Sequence, residues 1–467
     1  MRAFSRFLAH VAAGIAVLGV AIQPAAAQSI LRDAETEALF AEMSAGIIQA
    51  AGLQPKHVQI VLLQDKEINA FVAGGQIVYV HSGLIVAAKN ANEVQGVIAH
   101  ELGHVAGGHI IRSSEGIKTA TSITLLSLLL GAAAIAAGAG DAGAGILAAG
   151  QQAALGKFLA FTRTQESSAD AAAASYLSKA GISGKGLIGF FKTLQNVEFR
   201  YAIPQEDSYG RTHPLTGERI AALQEVVEKD SAWNAPTDPA LEAKFQRVKA
   251  KLAGFVTEPR QTLITYPVTD TSIPARYARA YAWHRSAYPD KALEEVDSLL
   301  RTVPEDPYFL ELKGQILLES GRPKDALPLL REATELTRAQ PLIAATFGHA
   351  LLATEDKANL QEATRVLKAA IAAALQKMEQ NRNTPKVGRN SMKRLTARDP
   401  GASTIEVTGR IRSFERIAKK HEVRYHIEKD PGTDPPKWTV YFKANQADAL
   451  TAAFKEYTRK DLARSTR

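Results

Sequence analysis

The sequence contains no cysteine. That absence excludes a disulfide framework, Cys-ligated zinc, iron–sulfur clusters and thiol catalysis. It also removes any lipidated cysteine, and any bound metal must be held by histidine and carboxylate. Net positive charge is missing from most of the chain as well. From Lys377 to Arg467 there are 21 Lys and Arg against 11 Asp and Glu, whereas the remaining residues hold 35 against 37. The net +8 is therefore a property of the tail, and a whole-chain isoelectric argument would mislead. The 46% hydrophobic and 22% charged content is ordinary for a globular protein and excludes a fully disordered or fibrous chain. A length of 467 residues suggests about three domains.

The N-terminus carries Arg2 and Arg6, then an uncharged run from Phe7 to Leu31 with an apolar centre at Val11–Ile22. Pro24 breaks a helix there, and Ala25-Ala26-Ala27 offers small residues for cleavage before Gln28. This is the layout of a secretory signal peptide over residues 1–27, with export to a bacterial periplasm as the expectation. The alternative is an uncleaved anchor, since the run is nearly long enough to span a bilayer.

Beyond it, Leu31–Gly52 reads as a helix with Asp33, Glu35 and Glu37 in its first turns. His57–Leu63 reads as a strand, and Glu67–Ala73 with Gln76–Val80 as a hairpin across Gly74-Gly75. Ala91–Arg112, Lys157–Ala180 and a stretch around Thr216–Lys229 read as helices. Ser231–Ser272 contains several prolines and reads as a connector. Then a repeat begins. Ala280, Gly314 and Gly348 are spaced by 34, as are Pro307 and Pro341, and Ala292-Leu293 recurs as Ala326-Leu327. A 34-residue helix–turn–helix period is the tetratricopeptide signature, and such units stack into a curved surface.

The sharpest signal is His100-Glu101-Leu102-Gly103-His104, an H-E-x-x-H pattern on a helix. Positions i and i+4 share a face, so both imidazoles can reach one zinc ion. Glu101 then stands beside the open coordination position, where it can take a proton from zinc-bound water. A third ligand is needed. Ile110 stands where a third histidine of the metzincin pattern would be, and His109 lies off that face, which suits a structural hydrogen bond. Glu166, in Glu166-Ser-Ser-Ala-Asp170, is the best candidate. Asp170, one turn on, can accept a hydrogen bond from a ligand imidazole and fix its tautomer.

These residues carry a resemblance. Arg32 to about Ile220 resembles the zinc metallopeptidase family of HtpX, BepA and the CAAX prenyl proteases. The matching stretches are Arg32-Asp33-Ala34-Glu35, Asn69-Ala70-Phe71 with Gly74-Gly75, Ser82-Gly83-Leu84, His100–His104, Glu166 with Ala169-Asp170, and Thr212-His213-Pro214 with Arg219-Ile220. With the repeats, the chain is most similar to BepA-type periplasmic proteases over roughly Gln28–Leu375. The resemblance implies one zinc per chain at His100, His104 and Glu166, with Glu101 as catalytic base. It also implies His213 as a fourth, inhibitory ligand that must swing away. The residues alone equally allow His213 to be a helix-entry residue fixed by Pro214. Ser168 departs from the family, which often carries a second acidic residue there.

In this reading Asn69, Ala70 and Phe71 form an edge strand that holds an extended peptide by β-addition. Thr119–Gly140 is 22 residues without charge. A single membrane span would put His104 and Glu166 on opposite sides, so either a hairpin dips into a membrane or folds over the active-site cleft, or an Ala-rich helical pair is buried.

The tail reads as a basic linker followed by β-α-β-β-α, with strands at Thr404–Val407, Val423–Glu428 and Trp438–Lys443 and helices at Arg412–His421 and Gln446–Leu462. Its aromatics alternate as sheet cores do, so nucleic-acid binding is not expected. Ser403–Leu462 is similar to the PcfB-like proteins of conjugative elements, on Ser413-Phe414-Glu415-Arg416, Asp434-Pro435-Pro436 and Asp448–Phe454.

The expected fold is mainly α with a small β-sheet: a gluzincin-type metalloprotease domain, a TPR-like α-solenoid and a small α+β C-terminal domain. The expected boundaries are 28–230 for the peptidase, 231–272 for a linker, 273–375 for the repeats, 376–402 for a basic linker and 403–467 for the last domain. The expected function is an exported zinc endopeptidase of protein quality control. Its expected partners are unfolded or misassembled envelope proteins and an outer-membrane assembly machine held by the repeats, with peripheral membrane contact. The alternative is a chaperone-like adaptor with a latent zinc site.

Overall fold

The computed structural model describes residues 29–382 apart from 74–75, 110–120, 132–139, 202–212 and 214–216. It also describes most of 387–442 and residues 453, 456 and 457. The expected signal peptide lies outside the described residues. The fold is mainly helical, with two small four-stranded sheets.

The first sheet is built from β1 (Ser29–Leu31), β2 (Gln59–Gln64), β3 (Ala70–Ala73) and β4 (Ile77–His81), in the order β1-β2-β4-β3. β2 and β4 are parallel, while β3 pairs antiparallel with β4 as the expected hairpin, which stacks Phe71 on Tyr79 at 5.1 Å. β3 is thus an edge of this sheet. The helix expected from Leu31 begins later, as α1 (Ala34–Ala50). Asp33 caps it, accepting a hydrogen bond from the Thr36 N–H at 2.8 Å, so Leu31 is left extended and pairs with Leu62.

A short helix α2 (Ser82–Ala87) leads into α3 (Ala91–Gly107), which carries the H-E-x-x-H pattern. The Asn90 side chain caps α3 by accepting from the Glu93 N–H at 2.9 Å, an arrangement that stabilises a helix by about 1 kcal/mol. The helix stops short of Arg112 because Gly108 takes a left-handed conformation at φ +63°. Next come α4 (Gly140–Lys179), a single helix of 40 residues, α5 (Lys185–Tyr201) and α6 (Gly217–Glu228).

The apolar insert folds back on itself. Residues 121–131 are helical, and a Cβ added at Gly150 of α4 would meet the Ser127 side chain. Leu125, Leu126, Leu128, Leu129 and Leu130 are half or more exposed, so this helical pair is not buried in the core. Among the described residues no helix is long and apolar enough to cross a membrane.

The stretch read as a connector, 231–272, is largely helical: α7 (Pro239–Val256) and α8 (Pro259–Thr265). Their prolines stand in the first helical turn, where a missing N–H costs nothing, so they start helices instead of breaking them. Phe245, Val248 and Leu252 of α7 join the same core as Met43, Ile47, Val80, Ile98, Leu187 and Phe190.

The repeat region follows as three helical hairpins. They are α9 (Ile273–Arg285) with α10 (Pro289–Thr302), α11 (Pro307–Glu319) with α12 (Pro323–Leu336), and α13 (Pro341–Ala353) with α14 (Lys357–Arg382). The 34-residue period has a packing cause. A Cβ on Gly314 would stand 2.5 Å from Leu330, and one on Gly348 would stand 2.6 Å from Leu367. At these two positions a residue without a side chain lets the hairpin close at that distance, while the first hairpin carries the small Ala280 there.

In the C-terminal part, β6 (Ser403–Thr408), α15 (Ile411–Lys420), β7 (Arg424–Lys429) and β8 (Lys437–Phe442) follow the expected order. A further two-residue strand, β5 (Gly388–Arg389), pairs parallel with β7 from within the stretch read as a linker. The sheet order is β5-β7-β8-β6, over a core of Phe414, Tyr425, Val440 and Phe442. The helix expected at Gln446–Leu462 lies mostly outside the described residues.

Candidate metal centre

The centre begins with backbone contact between helices. A Cβ on Gly103 would lie 2.8 Å from the Ala169 carbonyl, and one on Gly96 would lie 2.6 Å from the Leu187 Cα. The H-E-x-x-H helix α3 therefore lies hard against both α4 and α5. Because Gly103 opposes Ala169, Glu166 and Asp170 on either side of Ala169 are brought level with the two histidines.

The donor atoms converge. His100 Nε2 and His104 Nε2 are 3.1 Å apart, and each is 3.4 Å from a Glu166 carboxylate oxygen. His213 Nδ1 lies 3.3 Å from His100 Nε2 and 3.2 Å from Glu166. All four side chains are buried. Taking one atom from each, the set lies within 4.8 Å. His100 Nδ1 stands 2.9 Å from Asp170 Oδ1, so that nitrogen carries the donated proton and Nε2 is the atom aimed at the centre. His104 Nδ1 is likewise engaged, 2.9 Å from His109 Nδ1. Imidazole lone pairs and one carboxylate crowded at hydrogen-bond distance form a donor set suited to a divalent ion such as zinc.

His109 therefore lies behind His104, not at the centre, and its carbonyl accepts from Gln165 Nε2 at 3.2 Å. Glu101 is fully buried beside the cluster, 3.4 Å from His213 Nε2. Among the described residues neither of its oxygens has a hydrogen-bond partner. Asn69 is buried at the start of the edge strand, and its carbonyl accepts from the His81 N–H at 3.0 Å. Ala70 and Phe71 lie in β3, which packs against α3.

Arg219 on α6 received no role from the sequence. Its guanidinium is 3.1 Å from Glu166 Oε2 and 3.0 Å from Asp170 Oδ1, makes a second contact to Asp170 through Nε, and lies over the Phe191 ring at 5.3 Å. The only trace of it in the sequence is its spacing after His213-Pro214.

The charges form one coupled system. Burial alone would lift the Glu166 carboxyl, but His213 and His100 hold it well below its ordinary range. Asp170 is lowered against burial by His100 and Arg219. For His100, burial opposes charge, yet Asp170 and Glu166 outweigh it and push the ring up to about 10. A cation arriving at Nε2 thus displaces a proton. Burial and the neighbouring positive rings depress His104. Burial is also the largest influence on Glu101 and raises it, with His213 and His100 opposing only in part.

An H-E-x-x-H helix joined by a glutamate from a later helix defines the gluzincin class of metallopeptidase. Comparison with known proteins narrows this: residues 31–227 match peptidase family M48. The putative beta-barrel assembly-enhancing protease of Vibrio cholerae is 26% identical over 256 residues, covering 54% of this chain and 52% of that protein. The beta-barrel assembly-enhancing protease of Escherichia coli K12 is 25% identical over 313 residues, or 66% and 62% of the two chains. The metalloprotease LoiP of the same organism is 30% identical over 180 residues, or 38% and 65%. The chain thus spans between half and two thirds of the length of these relatives. Residues 364–467 match DUF3801, a protein family of unknown function.

Proposed function

We propose that the chain is a zinc-dependent metalloendopeptidase of the bacterial cell envelope that cleaves unfolded or misassembled proteins. The observation that carries this is the buried donor set of His100, His104 and Glu166, with Glu101 beside it and β3 at the sheet edge. His100, His104 and Glu166 would hold the ion. When bound, it supplies Lewis-acid chemistry, acidifying water and polarising a peptide carbonyl.

The chain's own residues do the rest. The Glu101 carboxylate accepts the proton of the attacking water and passes it to the leaving amine; its buried surroundings make it a stronger base than an exposed glutamate. Asp170 holds the His100 tautomer, and Arg219 neutralises Asp170 and Glu166 from behind. β3 offers its free edge to an extended peptide, Asn69, Ala70 and Phe71 lying along it. Such recognition reads backbone more than sequence and favours unfolded clients. The three hairpins of the 34-residue period supply a tetratricopeptide-like surface for clients or for an outer-membrane assembly machine. The E. coli relative is named for enhancing beta-barrel assembly, which supports a periplasmic setting and such a partner.

His213 favours a second reading, a latent enzyme acting as an adaptor. Its Nδ1 joins the donor set, and as a fourth ligand it would close the centre to water. In the present proposal it is the gate, and it must withdraw before catalysis.

The test uses the full chain, casein and the Glu101→Gln variant. Loss of cleavage by about 10²–10⁴-fold with zinc retained supports the peptidase. Undiminished cleavage by the variant sinks it. His213→Ala is expected to raise casein cleavage, and a variant no faster than the parent argues against the gate.

A further inference from the structure

A second cluster of metal-ligating side chains lies away from the H-E-x-x-H centre, on the first sheet. Asp65 and Glu67 flank the turn between β2 and β3, and His81 ends β4. One ligand atom from each lies within 4.8 Å of the others. The His81 Nδ1 is 3.8 Å from Asp65 Oδ1.

The histidine sets this cluster apart from an ordinary acidic patch. His81 is 1% exposed, and among the described residues neither ring nitrogen has a hydrogen-bond partner. A buried imidazole with both nitrogens unmatched is costly unless something occupies one of them. The backbone around it is fixed. The His81 N–H donates to the Asn69 carbonyl at 3.0 Å, and the Asp65 carbonyl accepts from Gly83 N at 2.8 Å and from Ser82 Oγ at 2.8 Å. Asp65 Oδ1 also accepts from the Glu67 N–H at 3.0 Å, which orients its carboxylate. Glu67 is exposed, so its side chain is free to rotate inward and complete the set.

We propose that Asp65, Glu67 and His81 form a second site for a divalent transition-metal cation, zinc or manganese by donor type. One imidazole and two carboxylates suit such an ion, and the two negative charges balance it. Burial holds the His81 ring below its ordinary pKa, with the Asp65 and Glu67 charges and the Glu67 backbone opposing only in part, so the ring stays neutral and keeps a lone pair. A cation here would tie the β2–β3 turn to the end of β4 and brace the edge strand between them. The site is independent of the catalytic reading, because it shares no ligand with His100, His104 or Glu166.

The test counts metal on the full chain with zinc alone, after removal of metal and titration to saturation. The parent is expected to hold one more equivalent than Asp65→Asn. Removing a ligand weakens that second equivalent by at least the roughly 10-fold that loss of a supporting hydrogen bond costs. His104→Ala is expected to retain the second equivalent. Glu67→Gln is the companion variant; its exposed side chain leaves the fold intact, as circular dichroism will report. If both folded variants bind as many equivalents as the parent, with unchanged affinity, the site does not exist. If Asp65→Asn fails to fold, the Glu67→Gln count alone decides.

Discussion

The peptidase core and the repeat region spend their buried space differently. Between α3 and α4 lies a polar interior: four histidines, Glu101, Glu166, Asp170 and Arg219 are all held out of water within one connected set. Around α9 to α13 the interior is mostly apolar, with Ala280, Ala292, Val296, Phe309, Leu330 and Phe347 buried at helix crossings, and the buried Arg279 paired with Glu295 as an exception. The first arrangement is cooperative, because each charge there is tolerable only with its partner present. The second is modular, because each hairpin packs mainly on its neighbours. In the proposed function, chemistry falls to the region whose burial is conditional, and recognition to the region whose burial is mostly not.

Breaking one charge should therefore damage the centre more than emptying one apolar contact damages the repeats. Arg219→Met leaves Glu166 and Asp170 without their cation. It is expected to weaken zinc by about 10–100-fold, read by chelator competition, and to cost roughly 3–5 kcal/mol in urea unfolding. Leu330→Ala is expected to cost about 2–4 kcal/mol by cavity formation beside Gly314, with zinc affinity unchanged. If Leu330→Ala altered zinc binding, the two regions would not be separable in this way. Zinc affinity itself should tighten as pH rises from 6 to 8, by roughly 10-fold per unit for each proton displaced, since the His100 ring holds its proton until the ion arrives. A flat profile would mean that no proton leaves.

The smallest effect concerns Glu311, in the repeats but facing the peptidase. Burial raises its carboxyl to about 7, Asp33 and Glu35 adding to the rise while Lys251 opposes it. A folded pKa above the unfolded one gives stability that is full below about 4.5 and is lost as pH climbs through 7. Glu311→Gln should therefore be the more stable protein at pH 8, by of order 1 kcal/mol, and gain nothing at pH 5. Thermal melting at the two values checks this.

What could be read from the sequence was local or periodic. The i,i+4 histidines needed one helix, and the 34-residue spacing repeats a single packing solution. The β3–β4 hairpin followed from alternation on either side of a glycine pair. What escaped was assembled across distance or hidden by ambiguous residues. Pro239 and Pro259 look alike as breakers and as helix starters, so α7 and α8 were read as a connector. Arg219 is one arginine among many until the fold brings it to Glu166. Asp33 and Glu35 suited a helix N-terminus, and nothing local revealed their second task.

That task links two halves of the chain. Lys251 reaches Asp33 at 2.5 Å and Glu35 at 3.2 Å. Arg247 reaches Glu35 and Asp306, each at 2.5 Å, and the Tyr277 hydroxyl donates to Glu35 at 2.9 Å. A fragment trimmed after residue 230 would look sensible on paper. It would strip α7 from the hydrophobic interior and strand two enclosed anions, so expression boundaries for crystallography or assay are better drawn beyond the first hairpin of the repeats.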